Sequence, residues 1–185
     1  MNRHARAGYT LIELMLVLAI LAIAAAVALP SAQPVAGFGA DAAAGEVALA
    51  LRFARDDARR SGQARLFACN PGTATVTVGA IDTDKDNSVV SNAPPWYSAA
   101  LATIPAANQM AIVSCTFTFT DNPGAATFAF DASGNPVRGI GKGPARTQQL
   151  RSGAVVIGDG ATRRTITLDA SGLPVVADAD TGFGG

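Results

Sequence analysis

The stretch from Gly8 to Leu29, reading GYTLIELMLVLAILAIAAAVAL, constrains this chain more than any other. A short leader, Met1 to Ala7, carries Arg3, His4 and Arg6; after Gly8 come Tyr9, Thr10, Leu11, Ile12 and a single acid, Glu13. Sixteen uninterrupted apolar residues follow, Leu14 to Leu29. As a helix rising about 1.5 Å per residue, Tyr9 to Leu29 would extend about 31 Å, enough to cross a hydrocarbon core. The basic residues of the leader predict that it stays on the cytoplasmic side.

Glu13 asks for a reason, because an ionised carboxylate within a membrane helix costs about 2.5–3.5 kcal/mol on insertion scales. A free amine at Tyr9, or at a neighbouring subunit's equivalent, would neutralise it. The alternative is a secretory signal peptide cut near Ala26-Val27-Ala28. Against that stand the length of the apolar run, the acid at its start, and Pro30 following directly without a compact polar segment.

Gly8 followed by YTLIEL, a long apolar run and Ala28-Leu29-Pro30-Ser31 resembles the N-terminal segment of type IV pilins and type II secretion pseudopilins. The resemblance implies that prepilin peptidase cuts between Gly8 and Tyr9 and methylates the new amine on Tyr9. It implies that Glu13 neutralises a neighbour's N-terminus during filament assembly. Tyr9 stands where the family usually has Phe, an aromatic replaced by an aromatic.

Beyond the apolar run, residues 30–40 read PSAQPVAGFGA. Two prolines and two glycines predict a kink or a loosened stretch there. Helical character is expected to resume at Asp41, a candidate cap, and to continue to Gly62. Val47, Leu51, Ala54 and Ala58 recur at helical spacing as one apolar stripe, widened by Ala50 and Phe53. Arg55, Asp56, Arg59 and Arg60 fall largely off the stripe, Arg52 is placed to pair with Asp56, and Gly62 is a candidate C-terminal cap. Leu51, Ala54, Arg55, Ala58, Gly62 and Cys69 also sit at spacings that resemble the FimT/GspH-type minor pilins and pseudopilins. That likeness covers residues 8–69 and is diffuse afterwards.

After Gly62 the pattern changes to short strands separated by turn residues. Arg65–Cys69 and Thr73–Val78 flank Asn70-Pro71-Gly72, a hairpin signal. Ile112–Phe119 alternates, with Val113, Cys115, Phe117 and Phe119 assigned to one face. Ala126–Phe130 follows the turn signal Asp121-Asn122-Pro123-Gly124. FAFDASGNPV (128–137) and ITLDASGLPV (166–175) nearly repeat each other, and both read as hairpins whose glycine takes positive φ, with ligand loops as the alternative. Ala154–Ile157 and Arg163–Leu168 surround Gly158-Asp159-Gly160, a further hairpin. Residues 80–110 read as a long loop.

The fold class expected is therefore α+β: a long N-terminal helix packed on an antiparallel β-rich head, the pilin fold. The expected organisation is leader 1–8, transmembrane and assembly helix 9–30, amphipathic half-helix 31–62 with its kink, and head 63–185. A chain of 185 residues with 19 glycines and 15% charged residues suits a turn-rich domain rather than a disordered tail. Removing Arg3 and Arg6 with the leader leaves 12 basic and 14 acidic residues, so the whole mature chain has no basic excess. Cys69 and Cys115 lie on the oxidising side and allow one disulfide; two buried thiols are the alternative.

Four groups of residues bear on function. Asp82, Asp84 and Asp86 have the alternation of a calcium loop, but Lys85 lies inside it, Asn87 replaces the usual Gly, and Ala93 stands where a Glu ligand is needed. A solvated acidic loop is the reading favoured over a calcium site, and no other cofactor is expected. Arg138, Lys142, Arg146, Arg151, Arg163 and Arg164 form a basic tract that has the character of a phosphate-tracking surface. Some FimT-type pilins bind DNA through a Gly-Arg-x-Arg motif near the C-terminus; the matching hairpin here reads Ser171-Gly172-Leu173-Pro174-Val175, without arginines. Trp96-Tyr97 offers either a subunit contact or a core plug. Catalysis has no residue set to carry it, since the only His is His4 in the leader and two cysteines make no zinc site. The expected role is a structural pilin or pseudopilin that meets prepilin peptidase, the inner membrane and other pilins, ending in a pilus or pseudopilus; DNA binding for uptake is the alternative.

Overall fold

The computed structural model describes residues 10–28, 35–81, 94–120, 124–140 and 148–178. The chain divides into two compact units, Met1–Val35 and Ala36–Gly185.

In the first unit, α1 spans Leu11–Ala28, 18 residues, or about 27 Å of helix. Thr10 caps it: its carbonyl accepts the amides of Glu13 at 3.1 Å and Leu14 at 3.2 Å, and its Oγ1 lies 3.4 Å from the Glu13 amide. Apolar side chains ring α1 with no preferred side, and those from Leu11 to Ile23 are exposed. Among the described residues no helix is long and apolar enough to cross a membrane. The described length falls short of a core about 30 Å thick, and Tyr9 and Leu29, which complete the apolar run, lie outside the described residues.

In the second unit, α2 spans Val35–Ser61. It starts earlier than expected, passing through Gly37 and Gly39 where the composition argues for a loosened stretch; residues 29–34 lie outside the described part. The reason is packing. A Cβ on Gly39 would stand 2.7 Å from the carbonyl oxygen of Ala106, and Ala40, Ala43 and Ala44 are fully buried. Such burial outweighs the roughly 1 kcal/mol that each glycine costs a helix. Asp41 is consequently inside α2 rather than a cap, and it pairs with Arg164, Nε to Oδ1 2.6 Å. The expected stripe faces the core: Val47, Ala50, Leu51, Ala54 and Ala58 are fully buried and Phe53 packs at its margin. Gly62 follows at φ 65°, the left-handed conformation that suits a helix end.

Two antiparallel sheets complete the head. The first comprises β1 (Arg65–Asn70), β2 (Thr75–Ala80), β3 (Tyr97–Ala100), β5 (Thr127–Phe130) and β6 (Pro136–Val137), in the order β3-β2-β1-β5-β6. The second comprises β4 (Ala111–Phe119), β7 (Leu150–Gly158), β8 (Arg163–Leu168) and β9 (Pro174–Asp178), in the order β4-β7-β8-β9. The class is α+β.

The turn chemistry places the hairpins as read. β1 and β2 join through a short 3-10 turn at Pro71–Thr73, with Asn70 opposite Thr75. Both Asp-Ala-Ser-Gly segments are tight turns, with Gly134 at φ 78° and Gly172 at φ 73°. In each the Asp Oδ1 accepts the amide of the Ser two residues on, at 2.8 Å. Gly158-Asp159-Gly160 turns β7 into β8, with Gly158 opposite Arg163.

Two further expectations fail, both in the strands. The supposed 80–110 loop contains β3, paired to β2 from Tyr97 opposite Val78 to Ala100 opposite Thr75. Val113 does not share the face of Cys115, Phe117 and Phe119: it is 49% exposed, and Ile112 is buried instead. The register shifts between Ile112 and Ser114, so a bulge reverses the alternation at that point.

The core lies among α2 and both sheets. Phe67 and Phe128, opposite each other on β1 and β5, meet Phe117 of β4 at ring distances of 5.9 and 4.7 Å. Gly153 on β7 makes room for Phe117, since a Cβ there would stand 2.7 Å from the ring. Cys69 and Cys115 form a disulfide that joins β1 of the first sheet to β4 of the second, Cα to Cα 6.3 Å.

Candidate assembly and binding surfaces

Glu13 sits at the third helical position of α1 with its amide held by Thr10. Thr-x-x-Glu is the spacing of a capping box, a signal present in the sequence and not used in reading it. The carboxylate thus lies in the first turn, where the helix dipole also favours an anion. Gly8 and Tyr9, the expected cleavage and methylation positions, lie outside the described residues. The other notable property of α1 is its uniform apolar exposure. A helix apolar all round in this way is built for lipid or for a bundle of other helices.

The basic tract does not come together as one patch among its described members. Arg138 lies half-buried just after β6, and its amide bonds to the Gln148 carbonyl at 2.9 Å. Arg164 is committed to Asp41. Arg151 and Arg163 are exposed, but Arg163 is opposite Gly158, seven residues along β7 from Arg151; at about 3.3 Å per residue that is about 23 Å. Lys142 and Arg146 lie outside the described residues, as do Asp82, Asp84 and Asp86 of the candidate calcium loop. Among the described residues no three His, Cys, Asp or Glu side chains gather as metal ligands.

Trp96 and Tyr97 divide the two roles considered for them. The Tyr97 hydroxyl donates to the Glu46 carboxylate on α2, and its ring lies 5.7 Å from Phe53. Burial first, and then the neighbouring Glu46 carboxylate, push the Tyr97 hydroxyl well above the usual tyrosine range. Trp96 stays half-exposed, with the Arg65 guanidinium 4.0 Å from its ring centre.

Arg65 is a junction that the sequence did not reveal. It is 95% buried, and every side of its guanidinium has a partner: Nε bonds to Asp57 at 2.5 Å, Nη2 to the Ser61 hydroxyl at 2.7 Å and Nη1 to the Ala64 carbonyl at 3.1 Å. Asp57 also accepts from Arg60 at 2.6 Å. Hydrogen bonds from Arg60 and then Arg65 hold the Asp57 carboxyl below the usual range. This cluster ties the last turn of α2 to β1. A cleft of about 480 Å³ opens beside it, lined by Gln63, Ile81, Trp96 and Ile140 among others.

Residues 3–29 match the family described as the prokaryotic N-terminal methylation motif. No curated protein sequence matches the chain. Among solved structures, the type IV minor pilin FimU of Pseudomonas aeruginosa is similar in two crystal forms. One shows 15% identity over 76% of this chain and 87% of FimU, with a TM-score of 0.48. The other shows 14% identity over 74% and 91%, with a TM-score of 0.47. The chain is thus one with a prepilin-type N-terminus: it bears the N-terminal methylation motif over residues 3–29, followed by an α+β head.

Proposed function

We propose that this protein is a minor pilin or pseudopilin, a structural rather than catalytic subunit of a type IV pilus or type II secretion pseudopilus. The observation that carries the reading is the methylation motif over residues 3–29. The uniformly apolar, exposed surface of α1 supports it. In this reading prepilin peptidase cuts between Gly8 and Tyr9 and methylates Tyr9. The helix anchors the chain in the inner membrane with its head in the periplasm, and assembly then draws it into a filament. Burial of α1 among neighbouring helices drives association, and Glu13 fixes register by meeting a neighbour's amine, since polar groups buried in apolar bundles serve best as specificity devices.

The test is the Glu13→Val variant. It should insert, be cut and be methylated normally, yet be depleted from filament fractions. Normal incorporation of that variant would remove Glu13 from the assembly role. DNA binding for uptake is the second reading, and the described arginines favour it little because they are separated or paired.

A further inference from the structure

A role as a filament subunit makes no use of the cleft of about 480 Å³ beside Arg65. Its volume falls in the range of sites that hold small molecules. Its base is fixed: Arg65 is 5% exposed, and its Nε, Nη1 and Nη2 are engaged by Asp57, the Ala64 carbonyl and the Ser61 hydroxyl. The Trp96 ring lies against this guanidinium, with 4.0 Å between its centre and the guanidinium carbon. The Trp96 amide donates to the Val78 carbonyl at 2.9 Å, so β2 holds the backbone from which the ring projects. The ring is thus anchored twice and is still 48% exposed. With the guanidinium closing one face, that exposure belongs to the other face and the edge.

The lining decides what kind of molecule fits. Among the described residues Arg65 is the only charged one in it, and its charge is answered by Asp57. An anion would find no uncommitted cation there. A cation would approach an indole that already has a guanidinium beneath it, with no carboxylate in the lining to meet it. The ligand is therefore uncharged. Gln63 is exposed, and its Oε1 lies 3.5 Å from Arg65 Nη1, which leaves the Nε2 donors of the carboxamide open among the described residues. Ile81 and Ile140 add aliphatic surface. A wholly apolar ring would cover the Gln63 carboxamide and offer it no acceptor, so its desolvation would go uncompensated. A pyranose answers both surfaces: its C–H face lies flat on an indole, and its hydroxyl oxygens accept from an amide.

We propose that this cleft is a binding site for a neutral pyranose sugar, with Trp96 as the stacking platform and Gln63 as the donor to a ring hydroxyl. Arg65 is a positioning residue: with its own nitrogens committed, it acts on the sugar through Trp96 and Gln63. The site lies wholly within the second unit and does not depend on how α1 is used. Because the platform is already held in place, binding costs the protein little freedom. A single sugar ring on one indole and one amide gives an affinity in the millimolar range.

The experiment titrates the full-length chain, in a detergent without a sugar headgroup, with the methyl glycosides of glucose, galactose and mannose and with N-acetylglucosamine. Trp96 is the only tryptophan, so its fluorescence reports on the cleft directly. The expected result is a saturable change with at least one of these sugars, half complete at about 1–10 mM. Gln63→Ala should weaken that binding about three- to tenfold, as the loss of one hydrogen bond does. Trp96→Ala should abolish it, read by magnetisation transfer from protein to sugar protons. An intact Cys69–Cys115 disulfide in that variant shows that the head has kept its fold. No response to any of these sugars up to about 100 mM would overturn the proposal. So would sugar binding that survives Trp96→Ala, or tighter binding of phenol or adenosine monophosphate than of every sugar.

Discussion

Cys69 on β1 and Cys115 on β4 are bonded across the two sheets, with 46 residues of separation between them. Closing a loop of that size removes unfolded-state entropy worth about 4 kcal/mol in the chain-entropy account. Against a total stability of about 5–15 kcal/mol for a domain, that is a large share. Reducing the bond, or making the Cys69→Ala, Cys115→Ala pair, should lower the melting temperature of the full-length protein by about 8–16 °C. Calorimetry with and without reductant checks it, and an unchanged transition would show that the sheets hold together without the bond.

Asp57 and Arg65 supply a pH dependence with a definite sign. Because its partners hold the Asp57 carboxyl below its ordinary value, the folded protein binds that proton less readily than the unfolded chain. The stabilisation is fully present above about pH 4–5, where the carboxylate is ionised in both states, and is lost as pH falls through the lowered folded value. Asp57→Asn should therefore reduce stability at neutral pH and flatten the acid limb of the curve. Melting temperatures from pH 7 down to pH 3 for both proteins measure this.

Removing Arg65 should cost more than removing an exposed arginine. Arg65→Met leaves Asp57 with only Arg60 and takes the cation from beneath Trp96, a change expected to destabilise by about 3 kcal/mol, as breaking a buried pair does. Arg60, whose side chain is 78% exposed, should cost less than about 1 kcal/mol when replaced by alanine. Trp96 is the only tryptophan, so denaturant titration followed by its fluorescence reads both variants directly.

The glycines of the repeated turns differ from ordinary loop glycines. At Gly134 a Cβ would meet Arg59 Cγ at 2.4 Å, and at Gly172 it would meet the Phe130 ring at 2.7 Å; both sit at positive φ. Gly172→Ala should destabilise by about 1–3 kcal/mol, combining strain with overpacking against an aromatic ring. Gly160, also at positive φ but with open space around it, should cost less. Comparing the two by urea denaturation separates crowding from backbone strain.

How much of this was legible in the sequence depended on range. The buried stripe of α2 from Val47 to Ala58 and the hairpins around Pro71, Gly134, Gly160 and Gly172 follow from local spacing and turn chemistry. The start of α2 was misread because Gly37 and Gly39 oppose a helix locally, while the contact that retains them in one comes from Ala106. β3 escaped notice because Tyr97 to Ala100 show no apolar alternation and are a strand only by pairing with β2. The bulge that turns Val113 outward leaves no mark in an alternating sequence. Arg65 was invisible as a junction, since Asp57 and Ser61 reach it only through the turn at Gly62 that brings β1 back along the end of α2, and Trp96 comes from a distant part of the chain. At the N-terminus the position is reversed: Gly8, Tyr9 and Glu13 are conspicuous in sequence, and the structure describes only Glu13 among them.

The central claim is that the chain is processed and assembled as a pilin-type subunit. The most direct measurement is mass spectrometry of the mature N-terminal peptide from membranes and from sheared surface filaments of the same cells. The account predicts a peptide beginning at a methylated Tyr9 in membranes, and in sheared filaments as well if the assembly is a surface pilus rather than a periplasmic pseudopilus. A mature chain beginning near residue 29, or one still carrying Met1 to Gly8 in every fraction, would contradict it.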